Sequence, residues 1–297
     1  MKECTKSCVE YFINSLYTEP TGKIFLIIES FIKDVSLIHT ENNNVLNRFY
    51  DYLYKKKFIL CEIGMYYLEK YILVNTKIHY LTVEEKNTNN FINNKMIMFK
   101  WIEVTHLEIE DNDYTEIIKY FKNIENQFTP SMMIKTALQT IKMIYNINSN
   151  EIGQDQLLPI LIYIIIKSQV KDIYLKIDFM KKYRRKKYLQ CHDNCLHLNN
   201  NTNINNPNCE CITLLDNTPE QELEFYLLTY QSALFFIETT EYNTLNISKE
   251  EFEGKIEFYI NDLQEIKQNK KGYIEKTKNK IKKIFGSLTD LSTNKKI

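Results

Sequence analysis

The sequence predicts an all-α protein in which a helical bundle packs against a second all-helical domain and an amphipathic helix follows at the C-terminal end. Glycine and proline occur only six and five times in 297 residues, whereas an all-β chain usually needs more of both for its turns. Hydrophobic residues make up 44% of the chain, enough for a sizeable core. They recur at the three- and four-residue spacing of helices.

The first predicted helices form an N-terminal bundle over residues 1–90. Helical spacing begins at Glu10 and is interrupted near Pro20. Beyond that break, the residues spaced for buried helix faces are Phe25, Ile28, Ile32, Val35, Val45, Phe49 and Leu53. Residues 62–74 are a further helix candidate, and the asparagine-rich residues 87–94 are interpreted as a loop.

Residues 91–245 are predicted to form the second helical domain. Pro130 begins one helix, since proline is tolerated at the first helical position, and the apolar stripe of this helix ends with Tyr145. Asp155 begins the next helix, in which the residues from Ile160 to Ile166 are apolar on every side. Such a helix is expected in the middle of a domain.

Residues 191–215 interrupt the helical pattern and are interpreted as an inserted surface loop. Their centre is almost pure asparagine and threonine, which cannot bury enough apolar area to fold alone. The segment also contains four cysteines, Cys191, Cys195, Cys209 and Cys211. Zinc prefers four Cys or His ligands, but the C-x3-C and C-x-C spacings are not those of common zinc fingers. Free thiols in a loop are therefore favoured over a metal site.

Charge and motif content argue against several function classes. Lysine and arginine number 38, as do aspartate and glutamate, so no basic field suits nucleic acid. HExxH, GxxxxGK[ST] and GxSxG motifs are missing, so we expect no cofactor.

The first residues lack a secretory signal pattern, and the longest apolar run, from Leu157 to Ile166, is too short to span a membrane. The odd count of seven cysteines suggests reduced thiols, as in the cytoplasm.

Residues 246–297 are predicted to form a C-terminal helical extension. From Lys270 to Leu288 an apolar stripe is surrounded by lysines. This helix could pack back on the protein, or it could bind an anionic membrane surface through its basic residues.

The most informative segment is residues 153–163, which read GQDQLLPILIY. On local sequence alone, Asp155 is a helix N-cap that accepts backbone N–H bonds. The segment also resembles the signature of the vacuolar protein sorting 9 domain family, Gly-Ala-Asp-x-Leu/Phe-Leu/Ile-Pro-x-Leu-Ile-Tyr. That family is all-helical, in agreement with the fold class.

Other pieces resemble the same family in the same order. Residues 101–109 read WIEVTHLEI, the helix from Pro130 precedes the signature, and Tyr226 and Thr229 form a Tyr-x-x-Thr element. The resemblance extends from about residue 60 to about residue 260. One departure is Leu223, since the family usually has glutamate three residues before the tyrosine.

The resemblance implies a guanine-nucleotide exchange factor for early-endosomal Rab GTPases of the Rab-five group, which acts without covalent chemistry. It implies that Asp155 enters the GTPase nucleotide site, displaces Mg²⁺ and contacts the P-loop lysine. Pro159 would limit where Asp155 points, and Tyr226 and Thr229 would meet the switch regions. The protein is then expected in the cytoplasm, recruited peripherally to endosomal or vesicle membranes.

Two other interpretations remain open from the sequence. A non-catalytic Rab-binding or membrane-tethering scaffold would keep the fold, although it would not need a carboxylate at Asp155. Tyr226 is also compatible with a core aromatic whose hydroxyl lies at the rim.

Overall fold

The structure, a computed structural model, describes residues 22–37, 45–56, 62–76, 83–148, 152–185 and 218–258. Within these ranges the chain is helical and contains no strand, which confirms the predicted all-α class. The α-helices are α1 (Gly22–Leu37), α2 (Val45–Lys55), α3 (Glu62–Thr76), α4 (Val83–Met98), α5 (Thr115–Lys122), α6 (Pro130–Ile147), α7 (Gln154–Ser168), α8 (Ile173–Tyr183) and α9 (Glu220–Thr239). Short 3-10 helices occupy Val104–Leu107, Asn123–Asn126 and Tyr242–Thr244.

The chain divides into two compact units, Met1–Thr240 and Glu241–Ile297. In the second unit, residues 249–258 are helical. Ser248 precedes that helix, and its hydroxyl accepts a hydrogen bond from the backbone N–H of Glu251 at 3.2 Å. The inserted residues 191–215 and the stretch from Lys270 to Leu288 lie outside the described residues.

Helices α1 to α3 share one apolar core, as the spacing predicted. Ile28 and Ile32 of α1 and Phe49 and Leu53 of α2 are all buried. The Phe49 ring stacks on Phe31 with the ring centroids 3.8 Å apart. Partly buried apolar side chains from α8 also pack against this core. The bundle is therefore packed onto the larger helical region that follows it.

Helix α4 corrects the sequence interpretation of residues 87–94 as a loop. Asparagine has low helix propensity, yet the helix runs through this segment and buries Ile92 and Met96. Two of its asparagines, Asn89 and Asn93, donate to the carboxylate of Asp172 at 2.8 and 3.3 Å. Tertiary packing and these hydrogen bonds outweigh the local preference for a loop.

A buried polar cluster, made of Glu69, Thr129, Ser131 and Arg185, ties the bundle to the rest of the unit. The Ser131 hydroxyl donates to Glu69 Oε1 at 3.2 Å, and Arg185 Nε donates to the same hydroxyl at 3.3 Å. Burial raises the pKa of Glu69, although Arg185 and the hydrogen bonds of Ser131 and Thr129 act in the opposite direction. The cluster therefore joins α3, the start of α6 and the residue two positions after α8.

Arg184, the neighbour of Arg185, joins α8 to α9. Its side chain is buried and forms ion pairs with Glu220, at 2.7 Å, and with Glu224. Both glutamates belong to the first two turns of α9. Arg184 and its two glutamate partners, called the clamp at Arg184 below, therefore join the chain segments before and after residues 186–217.

Removing either charge of the buried Glu69–Arg185 pair should strongly destabilise the protein. Glu69→Ala or Arg185→Ala leaves the other charge buried without its counter-charge, which costs about 3–5 kcal/mol. We expect the double variant to lose less than the sum of the two single variants, because it leaves neither charge behind. Urea unfolding measures all three.

The matched control is Glu116→Ala, which breaks an ion pair whose glutamate is 76% exposed. It should cost at most about 1 kcal/mol. Single-variant losses at Glu69 and Arg185 that match this control, or that add in the double variant, would contradict the cluster's role.

Deleting residues 194–206 from the insertion should leave the stability of the protein nearly unchanged. The clamp at Arg184 already holds the two ends of the segment, so a shorter loop changes the closure entropy by less than ~1 kcal/mol. Urea unfolding and zinc analysis of the purified protein check this. One zinc per chain, together with a large loss of stability on deletion, would instead favour a metal site at the four cysteines.

Candidate functional site

Helix α7 is buried along nearly all its length. Its apolar side chains point in every direction, and those buried are Leu157, Ile160, Leu161, Ile162, Ile164, Ile165 and Ile166. Helices α4, α5 and α9 and the 3-10 helix Val104–Leu107 pack around it. The predicted central helix is therefore confirmed. Its most exposed described residues are Asp155 and Gln156, which lie in the first turn.

Asp155 is the second residue of α7, so the sequence interpretation of it as the N-cap is wrong. The N-cap is Gly153, whose backbone is extended at φ −77° and ψ 174°. The Gly153 carbonyl accepts from the N–H groups of Gln156 and Leu157 at 3.3 and 3.2 Å. Asp155 already has helical backbone and cannot fill the capping position. Within the described part of the chain, its carboxylate has no hydrogen bond or ion pair.

Gly153 gives the Asp155 carboxylate its space. A Cβ atom at position 153 would lie 2.4 Å from Asp155 Oδ1, which is closer than two such atoms can approach. The carboxylate thus folds back over the glycine. A negative charge at this place is also favourable, because the N-terminal end of a helix carries partial positive charge.

Pro159 alters the backbone of Asp155 itself. It lies inside α7 and is partly buried. In a regular helix the N–H of residue 159 would bond to the carbonyl of residue 155, four positions earlier. Proline has no N–H, and its ring crowds that carbonyl. The Asp155 carbonyl therefore lacks the backbone hydrogen bond that it would accept in a regular helix.

Tyr226 and Thr229 lie one turn apart on α9, which packs against α7. The Tyr226 side chain is partly buried, and its hydroxyl donates to Glu222 Oε1 at 2.9 Å. Thr229 is only 8% exposed, and its hydroxyl donates to the Phe225 carbonyl at 2.9 Å. Of the four predicted site residues, Asp155 and Pro159 therefore lie together on α7, and Tyr226 and Thr229 lie together on α9.

Comparison with known proteins places this region in a family. Residues 114–242 match the model described as the Vacuolar sorting protein 9 (VPS9) domain. Residues 114–242 are therefore assigned to the VPS9 domain family. Among curated proteins, Vacuolar protein sorting-associated protein vps901 of Schizosaccharomyces pombe is 23% identical over 201 residues. That alignment covers 63% of this chain and 29% of the relative, so the chain matches less than a third of the relative's length.

The VPS9 domain begins at Tyr114, immediately before α5, and contains α5 to α9. All four residues predicted from the sequence resemblance, Asp155, Pro159, Tyr226 and Thr229, lie inside it. Helices α1 to α4 and the 3-10 helix Val104–Leu107 precede the match. The family resemblance inferred from the sequence is confirmed.

The departure at Leu223 has a structural explanation in this VPS9 domain. Leu223 is 1% exposed and belongs to the core. Its acidic neighbours take different partners, since Glu224 pairs with Arg184 whereas Glu222 accepts the Tyr226 hydroxyl. The site residue missed by the sequence analysis is therefore Glu222. Its i, i+4 spacing to Tyr226 was the available signal.

No group of acidic, histidine and cysteine side chains suited to a metal ion occurs among the described residues. The four candidate zinc ligands Cys191, Cys195, Cys209 and Cys211 lie outside the described ranges. Among the helices that the structure describes, none is both long and apolar enough to cross a bilayer.

Proposed function

We propose that this chain is a guanine-nucleotide exchange factor that stimulates GDP release and GTP loading on an early-endosomal Rab GTPase of the Rab-five group. The observation that carries the proposal is the exposed carboxylate of Asp155, which has no partner in the described residues and stands at the start of a buried helix. The VPS9 domain match and the likeness to vps901 support a role in vesicle trafficking.

A carboxylate at this place suits competition with a bound nucleotide. A GTPase holds GDP through contacts of its P-loop lysine and of Mg²⁺ with the phosphates. A carboxylate can substitute for that phosphate charge in a charge-assisted hydrogen bond. Asp155 has no ion pair with any described residue that would have to break first. No covalent bond is made or broken in this process.

The free energies involved show why a pre-positioned charge is needed. Nucleotide bound with nanomolar to picomolar affinity is held by about 12–16 kcal/mol. An exchange factor lowers that affinity by binding the nucleotide-free GTPase more tightly than the loaded one, because the coupling between the two ligands is reciprocal. A carboxylate that had to be ordered on binding would lose part of this coupling to conformational entropy.

The other site residues support that role from two helices. Pro159 restricts the backbone from which Asp155 projects. Tyr226 would meet the GTPase switch regions, and Thr229 lies one turn further along the same helix. Since the Thr229 hydroxyl is already bonded to the Phe225 carbonyl, Thr229 contributes mainly through its shape.

Recruitment to membranes is proposed for the stretch from Lys270 to Leu288, which lies outside the described residues. Its lysines surround an apolar stripe, and basic residues near an anionic membrane contribute about 1 kcal/mol each. The protein would then work at endosomal or vesicle membranes, bound peripherally from the cytoplasm. Weaker sedimentation with neutral than with acidic liposomes is the expected result.

Asp155→Asn tests the exchange activity most selectively. Because Gly153 is the cap and the Asp155 side chain bonds to nothing described, the substitution should cost at most the helix-dipole term of about 1 kcal/mol in stability. Nucleotide release should slow by about a hundredfold or more, equivalent to ~2.7 kcal/mol in the barrier. We would measure release of a fluorescent GDP analogue from an early-endosomal Rab, together with a melting curve.

The matched control is Asp111→Asn, which makes the same chemical change at an exposed position before α5 and should release nucleotide normally. Gly153→Ala is a second informative variant. It forces the Asp155 carboxylate to move, so we expect slow release although the aspartate is still present. Near-normal release by Asp155→Asn would contradict the exchange activity and favour a non-catalytic Rab-binding scaffold.

A further inference from the structure

The hydroxyl group of Tyr226 has a partner inside this protein. It donates its single proton to Glu222 Oε1 at 2.9 Å. Tyr145, at the end of α6, is near enough to raise the pKa of Tyr226. Glu222 therefore fixes the direction of the phenol O–H bond.

Of the glutamates in the first two turns of α9, Glu222 is the one that accepts the hydrogen bond of Tyr226. Glu220 and Glu224 are four residues apart and turn towards Arg184. Glu222 and Tyr226 are also four apart and form a second pair along the helix. The position of Glu222 in the first turn favours its negative charge, because the helix N-terminus is partly positive.

The environment keeps the Tyr226 phenol in its donating form. Burial raises the pKa of Tyr226 strongly, and the hydrogen bond and charge of Glu222 and the contact with Tyr145 raise it further. The neutral hydroxyl thus persists at any physiological pH. Its bond to Glu222 joins a neutral donor to a charged acceptor, which is stronger than a bond between neutral groups.

We propose that Glu222 is a positioning residue, which holds Tyr226 so that its ring, rather than its hydroxyl, meets the GTPase. This inference rests on the proposed exchange function and adds one residue to it. A hydroxyl that already donates its one proton to Glu222 has none left for a new acceptor. The ring, by contrast, offers apolar area in a fixed orientation at low entropic cost.

A double-substitution cycle in the full chain separates positioning from direct contact. Tyr226→Phe and Glu222→Ala remove opposite ends of the same bond, so each should lower kcat/KM for nucleotide release by a similar factor of about five to ten. The double variant should be no slower than the slower single variant, because the bond can be lost only once. Tyr226→Ala removes the ring and should be slower than all of these.

Two further variants sharpen the comparison. Glu222→Gln keeps an acceptor for the phenol, so we expect release within about threefold of the parent. The matched control is Glu116→Ala, which removes a glutamate from the first turn of another helix in the same domain and should leave release unchanged. A much larger loss in Tyr226→Phe than in Glu222→Ala, with additive effects, would overturn the proposal and assign the hydroxyl to the GTPase.

A measurement on the free protein keeps this inference separate from the exchange function. With ¹³C-labelled tyrosine, the Tyr226 Cζ resonance is assigned by its absence in Tyr226→Phe. Glu222→Ala should shift it, whereas Glu116→Ala should not. An unmoved resonance overturns the positioning role. If Glu222→Ala shifts the resonance but the parent protein releases no nucleotide, the positioning role stands. The exchange function, and with it the ring's contact with the GTPase, is then contradicted.

Discussion

The burial of α7 is the constraint on which the remaining structure depends. Its isoleucines and leucines face α4, α5 and α9 at once, and each such side chain contributes about 1.5–3 kcal/mol when fully buried. The helix therefore cannot slide or rotate without exposing several of them. The first turn of the helix is fixed for the same reason. The backbone of Asp155 is therefore held in place by the core, although its own carboxylate is exposed. Gly153 leaves room for the Asp155 carboxylate. Pro159 removes the backbone hydrogen bond that the Asp155 carbonyl would otherwise accept.

The two arginines after α8 extend this rigidity to the rest of the first unit. Arg185 reaches Ser131 in the buried polar cluster that contains Glu69, and Arg184 pairs with Glu220 and Glu224 on α9. One dipeptide thus joins the N-terminal bundle, α6 and the helix that carries Tyr226. Charges buried in this way are unfavourable unless paired. The bundle is thus linked to α9 through Ser131 and the adjacent residues Arg185 and Arg184.

Most of the fold could be predicted from apolar periodicity, whereas one helix and two details of the site could not. The buried faces of α1 and α2 and the all-round apolar α7 follow from spacing alone. The helix through the asparagine-rich residues 87–94 does not, because its asparagines bond to Asp172, far away in sequence. The assignment of Asp155 as N-cap failed by two residues, since Gly153 adopts the extended backbone that capping requires. Glu222 and Glu224 both flank Leu223, and only the structure shows that Glu222 binds Tyr226 whereas Glu224 pairs with Arg184.

The proposed exchange function requires Asp155 to make the chain prefer a GTPase without nucleotide. The most direct measurement is the equilibrium affinity of the parent and of Asp155→Asn for an early-endosomal Rab in its nucleotide-free and GDP-bound forms. We expect the parent to bind the nucleotide-free form at least about a hundredfold more tightly, a coupling of ~2.7 kcal/mol. We expect Asp155→Asn to lose most of that preference while it still binds the GTPase. Equal affinity of the parent for both forms, or an unchanged preference in Asp155→Asn, would contradict the account.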